Sequence, residues 1–155
     1  MLFREAQLTD IPHLSRVRLS VQENRLSDPG RLTTQDYTEY LTQRGRGWVC
    51  EVAGEVVGFG IADVVGRSIW ALFVQPEFAG QGIGKQLHDR MLNWYFAQTT
   101  EPVWLRTDPG SRAEEFYRRQ GWQDTGRMKG GEIRFEMTGE VWKQKSAAQQ
   151  HVAYK

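Results

Sequence analysis

A glycine-rich segment at residues 79–85, Ala-Gly-Gln-Gly-Ile-Gly-Lys, is the part of the sequence best suited to chemistry. It follows an apolar run at 70–74 and a turn containing Pro76, and it opens a helical pattern. The first N–H groups of a helix have no intrahelical acceptor, and glycines let a ligand approach the backbone closely. With Lys85 adding positive charge, the segment predicts a site for a phosphate-like anion. Alternatively, the three glycines only form a tight turn into a packed helix.

The elements around this segment follow from hydrophobic spacing and turn residues. A strand is predicted over 68–74, and a helix over 83–98 has Leu87, Met91 and Tyr95 on one face, so it should lie against a sheet. A strand at 102–107, a short helix at 112–120 capped by Ser111, and a hairpin of 122–128 with 132–137 complete the second half.

The first half contains a short strand at 2–5, two amphipathic helices and a β-hairpin. Thr33 or Thr34 can cap the second helix, and Gly45 and Gly47 mark its end. The hairpin joins 48–52 to 56–63. The predicted order is therefore β, α, α, β, β, β, α, β, α, β, β, an α/β fold. Residues 1–140 should form one domain, and 141–155 a loosely ordered tail, disordered or a frayed helix.

Composition limits the classes of partner. Twenty Lys and Arg against nineteen Asp and Glu give a formal charge of +1, with no basic excess for binding nucleic acid or an anionic membrane. No apolar run approaches the roughly 18 residues of a membrane span. The single cysteine, Cys50, lies in a strand-like run and is expected to be a buried thiol, which favours a cytoplasmic location.

Two motifs at a defined spacing carry a family resemblance. Leu72-Phe73-Val74-x-Pro76-Glu77 and the glycines at 80, 82 and 84 are followed about thirty residues later by Ala113-x-x-Phe116-Tyr117 and Gly121-Trp122. The combination resembles the GCN5-related N-acetyltransferase (GNAT) superfamily over residues 2–138. The resemblance implies a central, mostly antiparallel sheet of six to seven strands with about four helices.

The resemblance also implies a site for acetyl-CoA as co-substrate. The strand ending at Phe73 and Val74 would pair with the pantetheine arm, and the loop amides would hold the pyrophosphate. The Val74 amide would donate to the thioester oxygen and stabilise the oxyanion. The residues assigned to acetyl-CoA binding are Phe73, Val74, Gly80, Gln81, Gly82, Ile83, Gly84 and Lys85.

Tyr117 matches the family tyrosine that can protonate the departing CoA thiolate. A phenol with a pKa near 10 can do so when it is held about 3 Å from the sulfur. The other interpretation of Tyr117 is a buried ring on an amphipathic helix.

Three features depart from the family pattern or leave a role open. Ala79 stands where the family usually has Arg or Gln, and Gly110 where many members have Asn. The general base is unassigned: Glu51 or Asp63 could act through water, or no dedicated base exists. His88 falls in the helix after the loop and is a weaker candidate. No cluster has metal-ligand spacing, so no metal is expected.

The acceptor should lie between the sheet and the first two helices, as in the family. Candidate residues there are Glu23, Asn24, Asp28, Tyr37, Tyr40 and Trp70.

The predicted activity is direct transfer of acetyl from acetyl-CoA to a primary amine, in a ternary complex and without an acyl-enzyme. A small molecule is favoured over a peptide as the acceptor. The alternative is a non-catalytic acyl-CoA-binding sensor or partner module on the same fold. A nucleotide-phosphate binder is disfavoured because the loop lacks the Gly-Lys-Ser/Thr ending of a P-loop. The terminal hairpin and aromatic residues would allow a homodimer.

Overall fold

Seven strands form one sheet in the order β1-β2-β3-β4-β5-β7-β6 in the computed structural model, which describes residues 1–21 and 32–153. All neighbouring strands are antiparallel except β4 and β5, so the predicted mixed, mostly antiparallel fold is confirmed. The strands are β1 Leu2–Glu5, β2 Gly45–Val52, β3 Glu55–Asp63, β4 Ser68–Val74, β5 Val103–Thr107, β6 Gln123–Arg127 and β7 Ile133–Met137.

Helices cover both faces of the sheet. They are α1 Ile11–Ser20, α2 Thr34–Glu39, α3 Ile83–Gln98, α4 Arg112–Arg119 and α5 Gly139–Ala153, and a π-helical turn, Tyr40–Arg44, follows α2. Apolar side chains of α1 and α2 pack with Val49, Phe59 and Ala71 on one face. Side chains of α3 and α4 pack with Val103, Leu105 and other strand residues on the opposite face.

Two glycines allow α3 to lie unusually close to β3. A Cβ added at Gly60 would be 2.7 Å from Met91 Cε, and one at Gly58 would be 3.2 Å from Ile83 Cγ2. Real Cβ atoms do not tolerate the first distance, so a side chain at Gly60 would displace the flexible end of the Met91 side chain. Gly58 and Gly60 therefore leave space on β3 for side chains of α3, the helix that follows the glycine-rich loop.

The C-terminal segment, for which the sequence leaves disorder or a frayed helix open, is helical. Residues 139–153 form α5, and Trp142 is only 3% exposed, with its indole N–H donating to Asn93 Oδ1 at 3.0 Å. Burial of a large aromatic ring with its N–H satisfied anchors the helix, although its sequence is otherwise polar. Lys145 Nζ donates to Gln120 Oε1 at 2.9 Å and ties α5 to the end of α4.

The first long strand also begins earlier than predicted. Gly45 ends the π-helical turn as its C-cap, as predicted, and is the first residue of β2, whereas Gly47 lies inside the strand. A Cβ at Gly45 would be 1.7 Å from the Ala62 carbonyl oxygen, so this position requires glycine because of a neighbouring strand. None of the helices in the described residues is long and apolar enough to cross a lipid bilayer.

Candidate active site

The central feature of the site is a separation between two neighbouring strands. The parallel strands β4 and β5 pair only at Ser68 and Trp104 and then diverge. A cleft of about 430 Å³ opens beyond this point, lined by both strands, the end of α1, the π-helical turn and α4. A strand edge without a neighbour can hydrogen-bond an extended ligand through its backbone. Phe73 lines this cleft, whereas Val74 packs against the α3 side of the sheet.

The glycine-rich loop after β4 provides an open backbone surface. Gly80 and Gly82 have φ angles of 79° and 83°, and a Cβ added at either would meet nothing within 4 Å. The first intrahelical bond of α3 runs from Gln86 N to Gly82 O at 3.1 Å. The N–H groups of residues 83–85 therefore have no acceptor in the preceding turn of the helix, and the dipole of α3 favours an anion there. This geometry fits a diphosphate group.

Lys85 begins a polar chain that runs from the surface into the core behind the loop. Lys85 Nζ lies 2.7 Å from Asp89 Oδ2, and Asp89 Oδ1 lies 2.9 Å from His88 Nδ1. The Trp122 indole N–H donates to His88 Nε2 at 2.9 Å, so His88 Nε2 accepts and His88 Nδ1 carries the proton toward Asp89. Burial lowers the pKa of His88 below its ordinary value, which keeps the ring neutral. The chain connects the start of α3 to the segment after α4.

Tyr117 lies where the sequence predicts, on α4 and in the wall of the cleft. Ser111 caps this helix by accepting from Glu114 N at 3.2 Å. The Tyr117 ring is fixed by Trp122 and Phe135, with centroids 5.6 and 6.2 Å away, and the residue is 6% exposed. Burial raises the pKa of Tyr117 well above its ordinary value, so its hydroxyl is protonated at neutral pH.

Trp70 enters the cleft because β4 is irregular. Ile61 pairs with Ala71 and Ala62 with Ile69, which leaves Trp70 as the unpaired residue of a β-bulge. Trp70 and Ala71 consequently both pack on the α1 face, although regular alternation would place them on opposite faces. Tyr40 stacks on Trp70, with centroids 3.8 Å apart and planes 8° apart.

An ion pair that the sequence did not reveal closes the cleft beside Tyr40. Arg44 Nη2 donates to Asp63 Oδ2 at 3.0 Å, and Asp63 Oδ1 accepts from Gly66 N at 2.9 Å. The hydrogen bond to Asp63 raises the pKa of Arg44. Arg44 ends the π-helical turn, a local irregularity that often accompanies functional sites. No pattern in the sequence pointed to Arg44.

The structure gives the positions of the two candidate bases and of the cysteine. Asp63 lines the cleft but is already bound by Arg44, and Glu51 is paired with Arg4 at 2.7 Å outside the cleft lining. Cys50 is fully buried, as predicted, and burial raises its pKa. Within the described part of the chain, no group of His, Cys, Asp and Glu could hold a metal ion.

The predicted acceptor residues divide into three groups. Tyr40 and Trp70 line the cleft. Tyr37 is 1% exposed in the core of the α1 face, and burial raises its pKa to about 12. Glu23, Asn24 and Asp28 lie outside the described residues.

Solved structures similar to this fold include several N-acetyltransferases. The Escherichia coli ribosomal-protein-S18-alanine N-acetyltransferase has 15% identity and a TM-score of 0.71, with 88% of this chain and 92% of that chain covered. Ard1 from Thermoplasma volcanium has 21% identity and a TM-score of 0.71, covering 88% and 96%. A Mycobacterium tuberculosis protein in complex with CoA has 23% identity and a TM-score of 0.66, covering 93% and 80%. At these low identities, the structural likeness shows a shared fold and no more.

The family assignment comes from the sequence itself. The profile of the Acetyltransferase (GNAT) family matches residues 13–122, a region that includes the glycine-rich loop, the separated strands and Tyr117. The chain therefore belongs to the GNAT family of acetyltransferases. Comparison with curated proteins finds no significant match.

Proposed function

We propose that the protein transfers an acetyl group from acetyl-CoA directly to the primary amine of a small molecule, in a ternary complex. The observation that carries the proposal is the cleft between β4 and β5, which has a protonated tyrosine in its wall and an open glycine-rich helix start beside it. When bound, acetyl-CoA supplies the thioester carbonyl that the amine attacks.

Named groups of this chain perform the remaining tasks. The amides of residues 80–85 bind the pyrophosphate, and the free edge of β4 at Phe73 and Val74 holds the pantetheine arm. The Val74 amide donates to the carbonyl oxygen as negative charge develops there. Tyr117 gives its hydroxyl proton to the sulfur that leaves, and the proton that the attacking amine loses passes to water, from which the Tyr117 hydroxyl is restored. Cys50 has no part because it is fully buried.

A non-catalytic acyl-CoA-binding module is the second candidate. The observation that favours it is the state of the two candidate bases: Asp63 and Glu51 are each committed to an arginine. Ala79 and Gly110 are further departures from the family pattern, although Gly110 has a local role: its N–H donates to Glu114 Oε1 at 2.7 Å.

Two measurements, made one after the other, distinguish these two functions. Acetyl-CoA should raise the melting temperature more than ATP or NAD does. Thiol release should then accelerate when a pool of small amines is added to the acetyl-CoA-bound protein. Stabilisation by acetyl-CoA without thiol release on any amine or peptide would support the binding module. Greater stabilisation by ATP or NAD would contradict both candidates.

A further inference from the structure

The position of the Tyr117 hydroxyl depends on the packing of its ring. Tyr117 lines the cleft, and no described residue forms a hydrogen bond with its hydroxyl. Its ring contacts those of Phe116, Trp122 and Phe135, with centroids 5.3, 5.6 and 6.2 Å away. Because no hydrogen bond to the described part of the chain fixes the hydroxyl, the neighbouring rings determine where it lies.

Trp122 is connected to Tyr117 through both backbone and side chain. Gly121, with a φ of 93°, follows α4 in a Schellman motif, and its N–H donates to the Arg118 carbonyl at 3.2 Å. The Trp122 N–H donates to the Tyr117 carbonyl at 3.1 Å, which is the second hydrogen bond of this motif. An apolar contact often accompanies the motif, and here the Trp122 ring meets the Tyr117 ring at 70°. The place of Trp122 therefore sets the place of the Tyr117 ring.

His88 attaches Trp122 to α3. The Trp122 indole N–H donates to His88 Nε2 at 2.9 Å, and both side chains are buried. His88 Nδ1 lies 2.9 Å from Asp89 Oδ1, a contact that fixes the tautomer in which Nε2 is the acceptor. The His88 ring also contacts the rings of Phe116 and Tyr117, with centroids 5.5 and 6.4 Å away. The side chain of His88 thus joins α3 to the group of rings that surrounds Tyr117.

Resting on the proton transfer from Tyr117 proposed above, we infer that His88 is a positioning residue for this reaction. By holding Trp122, it keeps the Tyr117 hydroxyl at the place in the cleft wall where the thiolate of CoA departs. His88 itself touches neither substrate, because it is fully buried and lies outside the cleft lining. A displacement of about 1 Å can slow a reaction about 100-fold, so loss of the bond between His88 and Trp122 lowers kcat.

Two amide variants that differ by one methylene group test this bond. The amide of His88→Gln extends about as far as Nε2 and can accept from the Trp122 indole, whereas the shorter amide of His88→Asn can contact only Asp89. We expect kcat to fall about 10-fold or more in His88→Asn and less than about 3-fold in His88→Gln, with the Kd of acetyl-CoA unchanged in both. Equal kcat values for the two variants would overturn the inference and leave the proposed acetyl transfer standing.

A double-mutant cycle tests whether His88 acts through Tyr117. In Tyr117→Phe there is no hydroxyl to position, so adding His88→Asn should cause no further loss of kcat. A purely structural role would lower kcat by the same factor in both backgrounds, and that result would overturn the inference. Asn93→Leu is the matched control, because Asn93, also on α3, accepts the indole N–H of Trp142 at 3.0 Å outside the cleft lining. Its loss should leave kcat unchanged.

A spectroscopic measurement covers a protein without turnover. If no amine is acetylated, the proposed transfer fails, and nuclear Overhauser contacts between the Trp122 and Tyr117 rings decide the positioning role of His88 separately. These contacts should be retained in His88→Gln and weakened in His88→Asn. Unaltered contacts in His88→Asn would overturn the inference. If His88→Asn does not fold, His88→Leu, which has a larger side chain and no acceptor, replaces it in each comparison with the same expected results.

Discussion

The proposed donor side of the cleft, where acetyl-CoA would bind, and the proposed acceptor side, where the amine would bind, are built in different ways. On the donor side, the end of β4, the glycine-rich loop and the start of α3 are consecutive in the chain, and the Lys85–Asp89 pair spans a single helical turn. The acceptor side combines α1, the π-helical turn, a β-bulge and β5 from four separate regions. Arg44 and Asp63, for example, are nineteen positions apart and form one ion pair.

The two sides therefore place different requirements on their residues. The donor side relies on backbone groups, whose positions depend on φ angles and on helix geometry. The acceptor side relies on side chains, whose positions depend on the packing of distant elements. Substitutions on the two sides should therefore affect different kinetic constants, with Tyr117 between them affecting the chemical step.

The largest expected effect is on turnover. Tyr117→Phe removes the proposed proton donor and should lower kcat about 100-fold or more, with little change in the Kd of acetyl-CoA. Because burial raises the pKa of Tyr117, loss of this proton should not lower the wild-type kcat at any pH below about 10. Single-turnover kinetics and calorimetry measure the two constants.

Tyr95→Phe is the control for Tyr117. Tyr95 is another fully buried tyrosine, and its hydroxyl donates to the Pro102 carbonyl at 3.1 Å outside the cleft lining. Its loss should lower stability by about 1 kcal/mol and leave kcat unchanged. An unchanged kcat in Tyr117→Phe would remove Tyr117 from the mechanism.

The next effect should be confined to the donor side. Gly82→Val places a β-branched residue at a φ of 83°, which distorts the loop, so the Kd of acetyl-CoA should rise about 10-fold or more. The acceptor KM at saturating acetyl-CoA should change little. Gly54→Val is matched, with a φ of 80° and similarly open surroundings in the β2–β3 turn. A similar rise in the Kd for Gly54→Val would show that strain alone explains the result.

A smaller effect should be confined to the acceptor side. Trp70→Leu removes the ring that stacks on Tyr40, so the acceptor KM should rise about 10-fold, while the acetyl-CoA Kd is unchanged. Trp94→Leu is the control, because Trp94 is also partly buried, and its ring is 5.9 Å from that of Trp48 outside the cleft lining. A rise in the acetyl-CoA Kd with Trp70→Leu would contradict the division into two sides.

The smallest effect concerns stability on the donor side. The pKa of His88 is lowered in the folded protein, so below about pH 6.5 the unfolded chain binds a proton that the folded chain does not. The free energy of unfolding should therefore decrease as the pH falls below 6.5, by up to about 1.4 kcal/mol per pH unit. His88→Gln should reduce this slope in urea denaturation between pH 7.5 and 5.5.

His13→Gln is the matched control, since His13 is exposed on α1. The comparison separates the effect of the buried His88 ring from that of replacing a histidine elsewhere in the chain. Equal slopes in wild type and His88→Gln would show that the buried His88 does not govern acid stability.

Most of the secondary structure was predictable because its signals are local. The helix at 83–98 and the Ser111 cap were predicted correctly. Gly47 was misread as a helix end, because it lies within β2, where an added Cβ would be 3.1 Å from Ile61 Cγ1 of another strand. In the sequence, Trp142 looked like a residue of a loose tail, because the Asn93 side chain that accepts its indole N–H lies 49 positions away.

The sequence by itself determined the family, the glycine-rich loop and the position of Tyr117, since each depends on motifs of consecutive or closely spaced residues. Only the tertiary structure decided that Trp70 faces the cleft, because a one-residue bulge reverses the face that strand alternation would predict. It alone showed that Asp63 is bound by Arg44. Such facts depend on which distant side chains meet when the sheet and helices pack, and spacing along the chain does not encode that.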